Sequence, residues 1–460
     1  MMRGGGVSPV EVMEAHLRRV ERVNPRLNAV VTLAPDALQR AREAEAALMR
    51  GEVWGALHGV PLTIKDTIDT AGLRTTCGSR LRAGNVPAID AGAVVRLRAA
   101  GAIILGKTNV AEMALTYEAV NPVFGRTNNP HNTDLTAGGS SGGEAAAIGA
   151  CLSPAGLGSD LMGSIRVPAH FCGIFGLKPT VGRIPSDGHT PPTLGVLALG
   201  AVVGPMARGV EDLRLLLHAL TELGEAERAS EPHARAALQE ARSFDLRGCR
   251  VAWYADDGVS PVSRETLAAV KRVAGALADA GLIVEEARPP GVERGPELWT
   301  KLFARAAQNY LRQAYEGQEH LAGADARFLL AVAAEALPPA LDDFLDAWNE
   351  RDLLRRELLR WMTKTPLIIA PVGAGVAFEH GARRVQAGEQ SVSVFRSFGY
   401  SQTYNVYGLP AVAVPAGRTP EGLPVGVQVI GRPFAEEMLL EAAAIVEAAL
   451  GGWSLPAGCA

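Results

Sequence analysis

The sequence predicts an α/β fold: a single large α/β/α sandwich with a mixed, mostly parallel central sheet and a helical cap region. Three observations predict it. Short apolar runs of strand length alternate with helical patterns along most of the chain. Hydrophobic residues make up 48% and charged residues 20% of the 460 residues, which supplies a large core and excludes a wholly disordered chain. No internal repeat and no clear linker divides the chain, so residues 1–460 read as one domain.

The elements follow in order. Ser8 caps a first helix, with Pro9 at its first position and Glu11 completing a capping box. Val10, Met13, Leu17 and Val20 then share one face. Leu27–Leu33 reads as a short strand, and Pro35–Arg50 as a second helix closed by Gly51. Val60–Asp66 is a buried strand ending in charge. A helix over 91–100 leads to a strand over 102–105. Residues 121–143, rich in Asn, Pro, Gly and Ser, are loop, and 145–150 a short helix. In the second half, strands are predicted at 250–254, 282–286, 366–372, 411–415 and 425–430. Helices are predicted at 261–280, 297–315, 325–361 and 434–449. The charged segment 221–245 is a surface excursion, and 295–361 is a cap-like run of helices.

Composition excludes several functions. A net charge of -4 gives no basis for binding nucleic acid, which needs clustered positive charge. The cysteines Cys77, Cys151, Cys172, Cys249 and Cys459 form no CxxC pair and no metal spacing, which fits reduced thiols in a cytoplasmic compartment. The first residues lack a basic segment followed by an apolar one, so no signal peptide is read there. The longest uncharged stretch, Thr190–Ala207, is broken by Gly and Pro and reads as core strand and loop, with no membrane contact. Lysine is scarce: Lys65, Lys107, Lys178, Lys271, Lys301 and Lys364 are the only six among 45 basic residues.

The chemistry centres on two glycine-rich stretches, Ala137-Gly-Gly-Ser-Ser-Gly-Gly143 and Gly158-Ser-Asp-Leu-Met-Gly-Ser-Ile-Arg166. The first precedes a helix start at Glu144, so it is an ordered loop more than a linker. Glu144 stands where a phosphate loop needs Lys followed by Ser or Thr, which speaks against phosphate. The second places Ser164 after a glycine, where backbone amides can converge on an oxyanion. A serine nucleophile needs a base. His58, His131 and His170 share no triad-like motif and read as structural residues. A neutral lysine can serve instead, since burial lowers its pKa. Lys65 has the most apolar strand context of the six, and an ion pair with Asp66 or Asp69 is the competing reading.

The segment Gly138–Thr180 closely resembles the signature of the amidase signature family, serine hydrolases with a Ser–cis-Ser–Lys triad. Flanking pieces also match: His58–Asp66, Gly106–Asn109, Phe124–Pro130, Gly408–Gly417 and Gly422–Gln428. The resemblance spans nearly the whole chain and is weakest between 221 and 365. It implies Lys65 as general base, Ser140 as the bridging serine after a cis peptide bond, and Ser164 as nucleophile. It implies an oxyanion hole from the backbone of Leu161, Met162, Gly163 and Ser164. Gly139, Ser141, Asp160 and Arg166 match the family's supporting residues. No metal and no cofactor is implied.

One departure stands out. Met162 occupies a position where the family usually has glycine, and its side chain is expected to narrow or reshape the acyl pocket. Met113, Tyr117 and Leu194 are named as pocket lining. The resemblance implies an amidase acting on a small-molecule amide, with carbamates and esters chemically close, as a monomer or homodimer. The alternative is a glutaminase resembling the A-type chain of glutamyl-tRNA amidotransferase, working within a larger assembly. Thr75-Thr-Cys-Gly-Ser79 is compatible with that chain type, but 324–361 lacks the basic helical stretch associated with it.

Overall fold

The computed structural model describes residues 2, 6–221, 244–335 and 340–459. Among these, eleven strands form one sheet: β1 (Val30–Leu33), β2 (Pro61–Lys65), β3 (Ile103–Thr108), β4 (Ala155–Asp160), β5 (Phe175–Lys178), β6 (Val202–Ala207), β7 (Arg250–Trp253), β8 (Ile283–Glu286), β9 (Leu367–Pro371), β10 (Ala411–Arg418) and β11 (Pro424–Ile430). Their order across the sheet is β1-β3-β2-β4-β6-β5-β10-β11-β9-β7-β8.

The α/β class holds and the sheet is mixed, but antiparallel neighbours prevail. Only β3/β2, β2/β4, β9/β7 and β7/β8 run parallel; the other six neighbouring pairs run antiparallel. The parallel pairs β2/β3 and β7/β8 are joined through crossover helices, Gly92–Ala99 and Arg264–Asp279. Strands β10 and β11 are joined by a short loop with no helix between them, which enforces antiparallel pairing.

Successive side chains of a strand point to opposite faces. Val412 and Val414 of β10 therefore enter one apolar cluster, while Ala411 and Ala413 enter another on the opposite face. Helices Gly92–Ala99, Val210–Thr221, Arg264–Asp279 and Glu436–Leu450 cover the first face. Helices Gly142–Gly149, Arg166–Cys172 and Gly399–Val406 cover the second. On β2, Leu62 and Ile64 belong to the first cluster. The alternation turns Thr63 and Lys65 to the second face, where the helix after the glycine-rich loop packs.

The first helix begins as read: Ser8 Oγ accepts from Glu11 N at 3.1 Å, and the Glu11 carboxylate accepts from Ser8 N at 2.8 Å. It runs on to Leu27, through Pro25, so the strand starts at Val30 and not at Leu27. Strands β4 and β5 have no counterpart among the sequence-predicted elements. Ala155-Gly-Leu-Gly-Ser-Asp160 lacks the β-branched and aromatic residues that mark a strand. Its glycines answer to close packing: a Cβ on Gly156 would lie 2.3 Å from the Thr63 carbonyl oxygen of the next strand. The helical run comprises Gly295–Trp299, a π-turn Thr300–Ala304, Arg305–Tyr315, Ala324–Glu335 and Leu341–Trp361. Nearly all of the predicted excursion 221–245 lies outside the described residues. No helix among the described residues is long and apolar enough to cross a membrane.

Candidate active site

Lys65 ends β2 with no exposed surface, and its Nζ lies 2.7 Å from Ser140 Oγ. Ser159, at the end of the neighbouring strand β4, supplies two further partners, its Oγ at 2.9 Å and its carbonyl oxygen at 3.4 Å. Burial pulls the Lys65 pKa down to about 7, against the smaller opposing pull of Cys77, Asp160 and Glu144. The competing reading, an ion pair with Asp66 or Asp69, is not what forms. The Asp66 carboxylate accepts from Thr76, at 3.0 Å from its backbone and 2.5 Å from its hydroxyl.

The Gly139–Ser140 peptide bond is cis. A Cβ on Gly139 would lie within 2.8 Å of Glu118 N, Thr116 O and Tyr117 C, so only glycine fits against that backbone. The following helix is anchored by Glu144, which accepts from Thr63 on β2 and from Thr108 on β3, the latter at 2.7 Å. This carboxyl therefore clamps the Ser140 loop to the strand that bears Lys65. Burial raises its pKa to about 7 despite both hydroxyls. Ser141 joins the two glycine-rich loops. Its N donates to the Ser164 carbonyl at 3.1 Å, and its Oγ donates to the Ser159 carbonyl at 3.3 Å.

Ser164 follows β4 through a turn organised by Asp160. Asp160 accepts from Gly163 N at 2.8 Å, Ile165 N at 3.1 Å, and Arg166 at 3.0 and 2.9 Å. Burial opposes its ionisation, but the Arg166 guanidinium holds its carboxyl well below the usual carboxylate range. Arg166 also donates to Gln428 Oε1 and Asn405 Oδ1, both at 2.6 Å. Asp160 and Arg166 thus sit at the centre of the hydrogen bonds around this turn.

The same turn revises the expected oxyanion amides. The Gly163 amide is committed to Asp160. The amides of Leu161, Met162 and Ser164 have no acceptor among the described residues.

Ser140, Ser159, Asp160, Ser164 and His189 share one cavity with Met113, Leu115, Leu161, Pro191, Leu197 and Val202. Ala307, from the helical run, completes its wall. Trp299, from the same run, donates to the Leu161 carbonyl at 2.8 Å.

Three expectations about the pocket change. Met162 is 5% exposed, packs in the second core cluster and does not line the cavity. The left-handed backbone angle falls on Gly163 (φ 106), so no glycine is needed at 162 and a methionine fits there. Tyr117 is buried and does not line the cavity. Its hydroxyl donates to the Met162 carbonyl at 2.8 Å and accepts from Gln402 at 3.0 Å, bracing the turn from behind. Leu194 is 73% exposed and lies off the cavity wall. Met113 does line it.

His58, His131 and His170 are satisfied by backbone groups, as read: His58 by Trp54 N and Ala44 O, His131 by Cys172 O, His170 by Gly375 O and Gly426 N. Sequence reasoning missed Ser159 and His189. Ser159 was legible as a hydroxyl beside Asp160. Nothing in Gly188-His189-Thr190 marks the histidine as a neighbour of Lys65, 124 positions away. All five cysteines are free thiols.

A family model described as Amidase matches residues 11–440. The A-type chain of the glutamyl-tRNA(Gln) amidotransferase of Methylococcus capsulatus is 34% identical over 464 residues, covering 95% of this chain and 92% of that protein. Among solved structures, an amidase superposes with a TM-score of 0.86 at 28% identity, covering 98% of each chain. The peptide amidase of Stenotrophomonas maltophilia superposes with a TM-score of 0.81 at 28% identity, covering 99% of this chain and 96% of that one.

Proposed function

The chain belongs to the amidase signature family of hydrolases that act on carbon–nitrogen bonds, and from that premise we propose that it cleaves an uncharged carboxylic amide through an acyl-enzyme on Ser164. The observation that carries the reading is Lys65 Nζ, fully buried, 2.7 Å from Ser140 Oγ at a cavity that also holds Ser164.

With Lys65 uncharged, its lone pair takes the proton of Ser140, and Ser140 takes that of Ser164. Ser164 Oγ forms a bond to the carbonyl carbon, and the charge passing to the carbonyl oxygen is met by the amides of Leu161, Met162 and Ser164. The proton returns through Ser140 to the leaving nitrogen, the carbon–nitrogen bond breaks and the amine departs. Water then adds to the acyl group by the same relay, freeing the carboxylic acid and Ser164. Ala307 of the helical run lines the same cavity, so this run helps to bound the space open to the substrate.

The lining supports an apolar acyl group. Among the described residues, the ionisable side chains on the cavity wall are Asp160, already paired with Arg166, and His189. A glutaminase reading is favoured by the name of the Methylococcus relative. Glutamine, however, brings an α-ammonium and an α-carboxylate, and burying these without partners is costly. We therefore rank a simple amidase first and a glutaminase working within an assembly second.

The test is a hydrolysis panel of aliphatic, aryl and amino-acid amides, with one carbamate, one ester and glutamine. Turnover of neutral apolar amides, with fluorophosphonate labelling at Ser164, is expected. Glutamine turnover that appears only with a partner protein would instead establish the second reading.

A further inference from the structure

Two polar side chains at the cavity take no part in the chemistry assigned above. Ser159 Oγ lies 2.9 Å from Lys65 Nζ, and His189 Nε2 lies 2.9 Å from that same Ser159 Oγ. On the far side of the ring, His189 Nδ1 lies 2.7 Å from the Pro191 carbonyl oxygen. A carbonyl oxygen only accepts, so Nδ1 of the neutral ring carries the proton and Nε2 is an acceptor. The Ser159 hydroxyl then donates to His189 and presents a lone pair to Lys65.

We infer that His189 is a positioning residue which, acting through Ser159, sets the direction in which the Lys65 amine presents its lone pair. The inference rests on the reading of Lys65 as base. An uncharged amine has two N–H bonds and one lone pair. Ser159 offers two acceptors, Oγ at 2.9 Å and its own carbonyl oxygen at 3.4 Å. With both N–H bonds taken there, the lone pair is left for Ser140, whose proton it receives.

If the acceptor on His189 is removed, the Ser159 hydroxyl is free to turn its proton onto Lys65. It then occupies the lone pair that Ser140 needs. His189 is suited to the task because burial, helped by the neighbouring Lys65 charge, pulls its pKa down to about 4. The ring therefore stays an uncharged acceptor while Lys65 loses its proton.

A purely structural role is the competing account. His189 also begins the segment that contains the cis Thr190–Pro191 bond, and it could serve only to hold that segment. A double-mutant cycle separates the two. His189→Phe keeps a ring without an acceptor, and Ser159→Ala removes the hydroxyl that would turn. Rates are measured on the amide from the panel that turns over fastest.

In the wild-type background His189→Phe is expected to lower kcat roughly ten- to a hundredfold with little change in KM. In the Ser159→Ala background the same substitution should change kcat by less than about threefold. His189→Gln, which restores an acceptor oxygen, should recover part of the rate. His189→Leu serves as the second acceptor-free variant if the phenylalanine variant does not fold.

Equal losses of kcat in both backgrounds overturn the inference and leave His189 as a support of its segment. A change confined to KM overturns it too and makes His189 a substrate contact. Wild-type rates in Lys65→Met would instead overturn the base assignment itself, whatever the cycle gives.

Discussion

Asp160 and Arg166 face each other through two hydrogen bonds, of 3.0 and 2.9 Å, with neither side chain exposed to solvent. The same carboxylate holds the amides on both sides of Ser164, those of Gly163 and Ile165. One buried ion pair therefore shapes the turn that carries the nucleophile.

Asp160→Asn should be costly for that reason. It leaves the Arg166 guanidinium buried without its counter-charge, a loss of about 3–5 kcal/mol in comparable cases. Chemical denaturation and amidase rates should fall together, with the rate loss persisting under conditions where the variant is fully folded. A folded variant with wild-type rates would show that the turn does not need the charge.

Replacing Lys65 by Ala, Met or Arg should lower kcat by several orders of magnitude. Arginine fails because it cannot lose its proton at useful pH. Since the Lys65 pKa lies near 7, wild-type activity should rise through about pH 7 and flatten above it. Stability carries the matching sign. Folding lowers this pKa from 10.5, so the native state binds the proton less well than the unfolded chain. The resulting cost is full below about pH 7 and vanishes as pH rises towards 10.5. Lys65→Met should therefore stabilise the protein most at and below neutral pH, which melting curves across pH will reveal.

Ser140→Ala should separate amides from activated esters. The hydroxyl carries the proton between Lys65 and the reacting groups, and a good leaving group needs little protonation. Amide turnover should drop by orders of magnitude while acylation by an activated ester falls less. Equal losses for both substrates would mean that Ser140 does more than protonate the leaving group.

Met162→Gly should cost stability and spare selectivity. The side chain is buried in the core and absent from the cavity wall, so its deletion leaves a void worth about 2–5 kcal/mol. Relative rates across an acyl-length series should run parallel to wild type. A changed profile with unchanged stability would place the methionine in the pocket after all.

Lys65, Ser140 and Ser164 were picked out through the resemblance of Gly138–Thr180 and its flanking pieces to the amidase signature, because by pattern alone a strand-end lysine paired with Asp66 or Asp69 read at least as well. The cavity wall was not legible. Tyr117 and Leu194 were plausible by position alone, and only the fold shows one turned to the Met162 carbonyl and the other to solvent. Strand β4 went unread because its small residues answer to crowding between neighbouring backbones, which leaves no mark on hydropathy. The expectation of a mostly parallel sheet missed for a related reason: alternation of elements gives their kind, while pairing depends on which connections cross the sheet, and six of the ten neighbouring pairs run antiparallel.

Every side chain assigned to the chemistry is encoded before residue 208, yet the two neutral acceptors of Arg166 are Asn405 and Gln428. A chain that ends at Thr221 would possess the lysine and both serines but lack those acceptors. Its buried guanidinium would keep only Asp160. During synthesis the last reacting group, Ser164, is therefore made 264 residues before Gln428 completes the support. The nascent hydrolase should stay inert until the β10–β11 hairpin docks, and premature termination anywhere upstream of that hairpin should yield no active fragment.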